Sequence, residues 1–380
     1  MQFTTSFIPE IRFAPGAADG LAAAARSFGS VSRVAIIMDG FLAASGMAER
    51  LITALKAEGV EGYVYSGFSG EPKLTHVEAA TQAAQGADVV IGIGGGSALD
   101  IAKVAACCAA SGENPMHYAL AANPLPANPL KKILVPTTAG TGSETSATCI
   151  FAGPDGKKLW VWGPETKADL VILDPSLTVS LPANLTAWCG LDAFVHAFEA
   201  STNRNTHAGG QFYGHKAMQL LVGNLEKAIR EPNDLEARGA VLLGSCYAGV
   251  AIDNCGTAIA HNISHALAGL GPVHHGLATA LGFEQTMSWL VEARTPDLDG
   301  AARACGLNDA SALPAFLTRW MDACGFERRL PAAFANHTAE DLAREMKAPE
   351  NQPMRRSTIR DVSDADIDRM ASEMMALPRA

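Results

Sequence analysis

Over the first 180 residues, short runs of apolar and β-branched residues alternate with Ala-rich stretches whose apolar positions recur at a helical period. SRVAIIMDG (32–40), EGYVYSGF (61–68) and ADVVIGIGGGS (87–97) read as strands, separated by helical SGMAERLITALKAEG (45–59) and HVEAATQAAQGA (76–87). KKILVPTT (131–138) and DLVILDP (169–175) add two more strands, and PDGKKLWVW (154–162) predicts a hairpin turning at Asp155-Gly156. Such alternation is the signature of βαβ units on a parallel sheet. AANPLPANPL (121–130) reads as a loop. After Pro182 the strand-like runs vanish and long helical patterns rich in Ala, Leu and Met run to the end. The last of these, DVSDADIDRMASEMMAL, predicts an amphipathic helix capped by Asp or Ser. The expected fold is therefore an α/β domain over 1–180 followed by an all-helical domain over 181–380, with the boundary near Pro175 to Pro182.

At 380 residues the chain exceeds what one hydrophobic core usually holds, which agrees with two domains. Composition narrows the function more than the fold. A net charge of −10 and no dense Lys/Arg run argue against a grip on nucleic acid or anionic membrane. The N-terminal MQFTTSFIPEIRF lacks a basic flank before an apolar run, and no stretch of ~18 apolar residues lacks a charge or a breaker. Among the eight cysteines there is no CxxC spacing. The expectation is a cytoplasmic protein with reduced thiols that acts on small molecules.

Two glycine-rich turns carry the first chemistry. ADVVIGIGGGSALDIAK places an apolar strand directly before Gly94, Gly95, Gly96 and Ser97 and a helix directly after. Backbone N–H groups at such a helix start, with the positive end of its dipole, form an anion site. The Rossmann fingerprint is incomplete, since Ser97 stands at the third glycine position. A second turn, VPTTAGTGSET (135–145), offers backbone N–H groups and the hydroxyls of Thr137, Thr138, Thr141 and Ser143. Two such turns favour a dinucleotide over a single phosphate. Asp39, at the end of VAIIMD, is placed to accept from a ribose diol and repel a 2′-phosphate, which predicts NAD(H) over NADP(H). A plain turn at Asp39-Gly40 is the simpler alternative.

Histidines carry the second. Asp192 and His196 in GLDAFVHAFEA are four apart and share a helix face; His261 and His265 repeat that spacing, and His275 follows a Gly-Pro interruption. Three imidazoles and one carboxylate can close around a divalent ion. A lone histidine on an apolar helix is more often a core residue, but two such pairs in an apolar helical half favour the metal. His76, His117, His207, His215 and His337 lack comparable companions and read as surface or loop residues.

DVVIGIGGGSALDIAK, VPTTAGTGSE, GLDAFVHAFEA and HNISHALA…HHG, in this order and spacing, resemble the iron-containing (group III) alcohol dehydrogenase family. The resemblance spans essentially the whole chain. It implies a dehydroquinate-synthase-like architecture: an N-terminal dinucleotide-binding α/β domain, an all-α C-terminal domain, and metal and nicotinamide in the cleft between them. It implies the metal ligands Asp192, His196, His261 and His275, with Fe²⁺ expected and Zn²⁺ as the alternative. His265 is implied as a catalytic residue near the nicotinamide that helps move the alcohol proton. The matching cofactor positions are Asp39, Gly94, Gly95, Gly96, Ser97, Asp100, Thr137, Thr138, Thr141 and Lys158. The implied activity is metal-dependent, NAD(H)-linked interconversion of an alcohol with its aldehyde or ketone, in a homodimer or larger homo-oligomer. Maleylacetate-type reductases are the nearest alternative but lack a full metal set. The dehydroquinate-synthase-like lyases would need a Lys/Arg cluster beside the ligand motifs.

The chain departs from the family pattern at several positions. His274 replaces the usual Pro before the last ligand, leaving two adjacent imidazoles, with Gly276 holding His275 in register. SGEPKLTHV (69–77) replaces an Asn-Pro-containing stretch. In AGVAIDNCGTAIAH, Ile252 stands where Phe is frequent and Thr257 where Leu is, and Asp253 and Cys255 add polarity. With Thr148, Phe151 and Trp162 these predict a substrate pocket wider or more polar than an ethanol site. Arg204, in STNRNTHAGGQFYGH, reads as part of a solvated loop, with an anionic substrate as its alternative partner.

Overall fold

A computed structural model describes residues 2–379. The chain forms two compact units. One comprises Ser6–Thr138 and Ser143–Val179; the other comprises the chain from Ser180 onward, Ala139–Gly142 and the N-terminal residues to Thr5.

The first unit is built on a six-stranded, wholly parallel sheet. Its strands are β1 (Glu10–Phe13), β2 (Arg33–Met38), β3 (Glu61–Tyr65), β4 (Val89–Gly94), β5 (Lys131–Pro136) and β8 (Leu170–Leu173), in the order β1-β8-β5-β4-β2-β3. Strand burial follows this order: every residue of central β4 is buried, whereas edge strands β1 and β3 are exposed or half-buried along their length. From β2 the chain steps outward to β3, then crosses back to β4 on the other side. The strand order therefore reverses between β2 and β4, and ligands of open α/β sheets bind beyond the carboxyl ends of the strands at such a point. Asp39 directly follows β2, and Gly94 ends β4. The predicted hairpin forms as β6 (Thr148–Ala152) and β7 (Lys158–Trp162), with Gly156 at φ +79° in the turn.

The second unit is helical. Its long helices Ala183–Thr202, Ala208–Arg230 and Leu235–Cys255 pack on one another, followed by Ile259–Leu270 and His275–Val291. From Cys189 to Thr202 every residue is buried, so the first of these helices runs through the interior and is apolar on nearly all sides. The polar residues it does carry, Asp192, His196 and Glu199, must therefore find partners inside the protein. Leu235–Cys255 is long and apolar enough to cross a membrane, yet 67% of its apolar window is buried in the helical unit, as expected of a core helix. The C-terminal helix Asp364–Met375 is capped by Ser363, which exchanges bonds with Asp366 in a capping box.

Candidate functional site

Three helices of the second unit bring four predicted ligands together. Asp192 and His196 lie on Ala183–Thr202, His261 on Ile259–Leu270, and His275 opens His275–Val291. One donor atom from each lies within 4.8 Å of all the others. His261 Nε2 is 3.8 Å and His275 Nε2 is 3.7 Å from Asp192 Oδ1, while the His196 and His261 rings stack at 4.5 Å. Gly276 makes this convergence possible: a Cβ there would stand 2.3 Å from the Trp188 carbonyl oxygen, so only glycine lets the two helices meet beside Asp192.

The donor set fits a divalent cation. Asp192 Oδ1 and His261 Nε2 are buried, and neither has a hydrogen-bond partner among the described residues. Buried polar atoms left unpaired are costly and call for an explanation. Donors sharing an ion at ~2.1 Å stand roughly 3.4 Å apart, close to the separations observed.

The imidazoles are also held from behind. His196 Nδ1 meets the Gly140 carbonyl at 3.2 Å and His261 Nδ1 meets Glu199 Oε2 at 2.6 Å. Carbonyl and carboxylate oxygens accept, so each ring donates from Nδ1 and leaves Nε2 bare for a cation. His275 Nδ1 lies 3.1 Å from Ser264 Oγ, which in turn accepts from Thr279 Oγ1 at 3.0 Å. Glu199 and Ser264 escaped the sequence reading. The available signal for Glu199 was its place three residues after His196, on the same buried helix.

Electrostatics reflect this crowding. Burial, joined by the nearby Glu199, pushes Asp192 up to about 7 against the pull of His261 and Thr279. Burial and the neighbouring His261 hold His196 well below the ordinary histidine value. Burial also opposes a charged His261, but Glu199 and Asp192 together outweigh it and raise that imidazole.

The Ala139–Gly142 loop serves the helical unit. A Cβ on Gly142, at φ +63°, would stand 2.4 Å from the Gly249 Cα, and one on Gly140 would stand 2.8 Å from Cys189. These glycines seat the loop on two helices and present the Gly140 carbonyl to His196. Thr141 is half-buried in that loop.

In the sheet unit, Gly94 adopts φ +147°, and a Cβ there would stand 2.8 Å from the Ala98 Cβ and 3.7 Å from Asp39 Oδ2. The turn thus brings Asp39 beside Gly94, while Gly95 and Ser97 flank the start of the helix Gly96–Ser111. Asp39 Oδ1 caps the next short helix by accepting from Leu42 N at 2.8 Å. An open cavity of about 540 Å³ lined by Gly40, Phe41, Phe68, Lys73 and His76 adjoins this residue. Thr137 donates its backbone N–H to Gly94 O at 2.9 Å, and Thr138 faces Gly95.

Other predicted positions are engaged elsewhere. Asp100 accepts from Ser143 Oγ through Oδ1 and from Ile150 N at 2.9 Å through Oδ2, which ties both oxygens to the segment after β5. Buried Lys103 completes that tie by donating to Ser143 O at 3.0 Å and Thr148 O at 2.7 Å. Lys158 pairs with Glu71 at 3.1 Å. Phe151 is 1% exposed, whereas its hairpin neighbours Thr148 and Trp162 are exposed. Ile252, Asp253 and Thr257 are half-buried. His265 is half-buried with its ring 5.7 Å from that of His275. His274 lies outside the four-donor cluster, its ring 5.0 Å from Trp188. Arg204 donates to the Thr358 carbonyl at 2.7 Å and Asp361 at 2.6 Å, which joins its loop to the chain near the C-terminal helix.

A sheet with its crossover at a glycine turn, and a helical unit with three imidazoles and a carboxylate converging, define a metal-dependent, nucleotide-linked dehydrogenase. The sequence matches the profile of iron-containing alcohol dehydrogenases over residues 9–175 and that of the Fe-containing alcohol dehydrogenase C-terminal family over 186–372. The chain belongs to the iron-containing alcohol dehydrogenase family. It is 33% identical to long-chain-alcohol dehydrogenase 1 of Geobacillus thermodenitrificans, over 78% of this chain and 75% of that one. To a sulfoacetaldehyde reductase of Bilophila wadsworthia it is 37% identical, over 65% of this chain and 64% of that one. Among solved structures it resembles the sulfoacetaldehyde reductase of Bifidobacterium kashiwanohense in complex with NAD⁺, with a TM-score of 0.90, 26% identity and 99% coverage of both chains. The protein is an NAD(H)-linked, iron-family oxidoreductase that interconverts a small-molecule alcohol and its carbonyl counterpart.

Proposed function

We propose that Asp192, His196, His261 and His275 hold one divalent cation, and that the turn Gly94–Ser97 with Asp39, Thr137 and Thr138 binds NAD(H). The observation that carries the metal assignment is the buried, unpartnered pair Asp192 Oδ1 and His261 Nε2 inside a four-donor cluster. When bound, the cation supplies Lewis acidity toward the substrate oxygen and the nicotinamide supplies the hydride acceptor or donor. Asp192 contributes the single negative charge among the ligands, and the Nδ1 contacts of the three imidazoles keep their Nε2 atoms inward. His265, one helical turn after His261, takes the hydroxyl proton on a ring nitrogen during oxidation and returns it during reduction. Asp39 favours NAD(H) over its 2′-phosphorylated form by charge.

The substrate pocket is wider or more polar than an ethanol site, a reading supported by half-buried Ile252, Asp253 and Thr257. Highest kcat/KM for short unbranched alcohols would refute it. Homo-oligomerisation belongs to the same reading, supported by the exposed edge strand β1, whose outer backbone groups are open to pairing, and is checked by light scattering. A cytoplasmic location belongs to the same reading.

The test is elemental analysis of anaerobically purified protein, with NADH formation across an alcohol panel before and after chelation. We expect one iron or zinc per chain, loss of turnover on chelation, and recovery on adding the ion back. Asp192→Asn should lose the ion and at least ~10²-fold in kcat, since Lewis acidity is worth several kcal/mol in the transition state. Full turnover of metal-free protein would sink the assignment.

A further inference from the structure

We infer that Glu199 is a positioning residue for the metal centre, setting both the ring and the helix of His261; the inference rests on the ligand assignment above. Glu199 is 2% exposed and sits on the helix that carries Asp192 and His196. Its Oε2 accepts from His261 Nδ1 at 2.6 Å and from Ala258 N at 2.7 Å, and its Oε1 accepts from Ala260 N at 2.7 Å. Ala258 is the N-cap of Ile259–Leu270 and has no side chain able to cap it. The first N–H groups of a helix lack partners inside the helix and are met by a side chain or by water. Here a carboxylate from another helix satisfies those of Ala258 and Ala260.

One side chain thus does two jobs. By meeting the Ala258 and Ala260 N–H groups it pins the helix start two residues before His261, and by meeting Nδ1 it selects the tautomer whose Nε2 is free. A carboxylate behind a ligating imidazole also makes that imidazole a stronger donor.

Cobalt(II) serves as the probe, because its visible absorption reports the donors around it as well as its affinity. In Glu199→Gln the amide is close in size but uncharged, and its NH₂ must face at least one of the three donors. Competition with a chromophoric chelator should show cobalt(II) bound 10- to 100-fold more weakly than by the unaltered protein, with shifted visible bands. NAD⁺ affinity, measured by fluorescence, monitors the fold of the sheet unit. Cobalt(II) affinity within twofold and identical bands, alongside a lowered melting temperature, would show that Glu199 only caps the helix and overturn the inference. Failure of the unaltered protein to bind cobalt(II) would instead overturn the ligand assignment. If Glu199→Gln does not fold, Glu199→Asp decides by the same two readouts: it keeps the charge but is one methylene too short to span both the helix start and the ring.

Discussion

At the scale of single residues, burial without a partner is the recurring signal. At Asp192 and His261 it marks the proposed metal centre. Glu144 shows the same signal away from it: both carboxylate oxygens are buried with no hydrogen-bond partner among the described residues, and burial pushes the group up to about 7 against the pull of Lys103. An acid whose folded pKa is raised binds more protons folded than unfolded between its ordinary value and the raised one. Its contribution to stability therefore falls as pH rises through that window. Glu144→Gln mimics the protonated form, so its stability relative to the unaltered protein should be similar near pH 5 and exceed it by up to about 3 kcal/mol above pH 7. Urea denaturation at the two pH values measures this, and an equal gap at both would refute it.

At the scale of elements, the segment between β5 and β6 is held by a buried cation and not by secondary structure. Lys103 Nζ joins the Ser143 and Thr148 carbonyls, with Asp100 3.6 Å away accepting from Ser143 Oγ and Ile150 N. Removing one member of such a buried network leaves the others unpaired, which costs about 3–5 kcal/mol. Lys103→Met, similar in length and apolar, should lower stability by that amount and make Ser143–Thr148 the first site of limited proteolysis. A variant as stable as the parent would show that the segment is held by its apolar neighbours. Both oxygens of Asp100 are bonded within this segment, so any effect of Asp100→Asn on NAD⁺ binding should come with a loss of stability.

At the scale of the whole molecule, two ligands and two units make a prediction about where stabilisation appears. A ligand present at ~100 times its Kd stabilises the folded state by about 2.7 kcal/mol. Hydrogen exchange should localise the cation's protection to Ala183–Thr202, Ile259–Leu270 and the start of His275–Val291, and that of NAD⁺ to the end of β4 and the start of Gly96–Ser111. Protection by the cation centred on the glycine turn would contradict the ligand assignment.

Much of this protein was legible along the chain because the relevant physics is local. Five of the six sheet strands, the hairpin turn at Asp155-Gly156, the Ser363-capped helix and the switch to helices after Pro182 follow from periodicity and turn chemistry, which depend on neighbours a few residues apart. The i, i+4 pairing of Asp192 with His196 is equally local. Family motifs then named the ligands without showing how they meet. Only the tertiary structure decided that His275 and not His274 joins the cluster, because the choice depends on Gly276 lying against Trp188. It alone revealed Glu199 behind His261, 62 residues away in sequence, since a hydrogen bond at that separation leaves no periodic trace. It also showed Gly140 and Gly142 seated against distant helices: a glycine demanded by close approach to distant backbone looks, in sequence, the same as one demanded by a ligand.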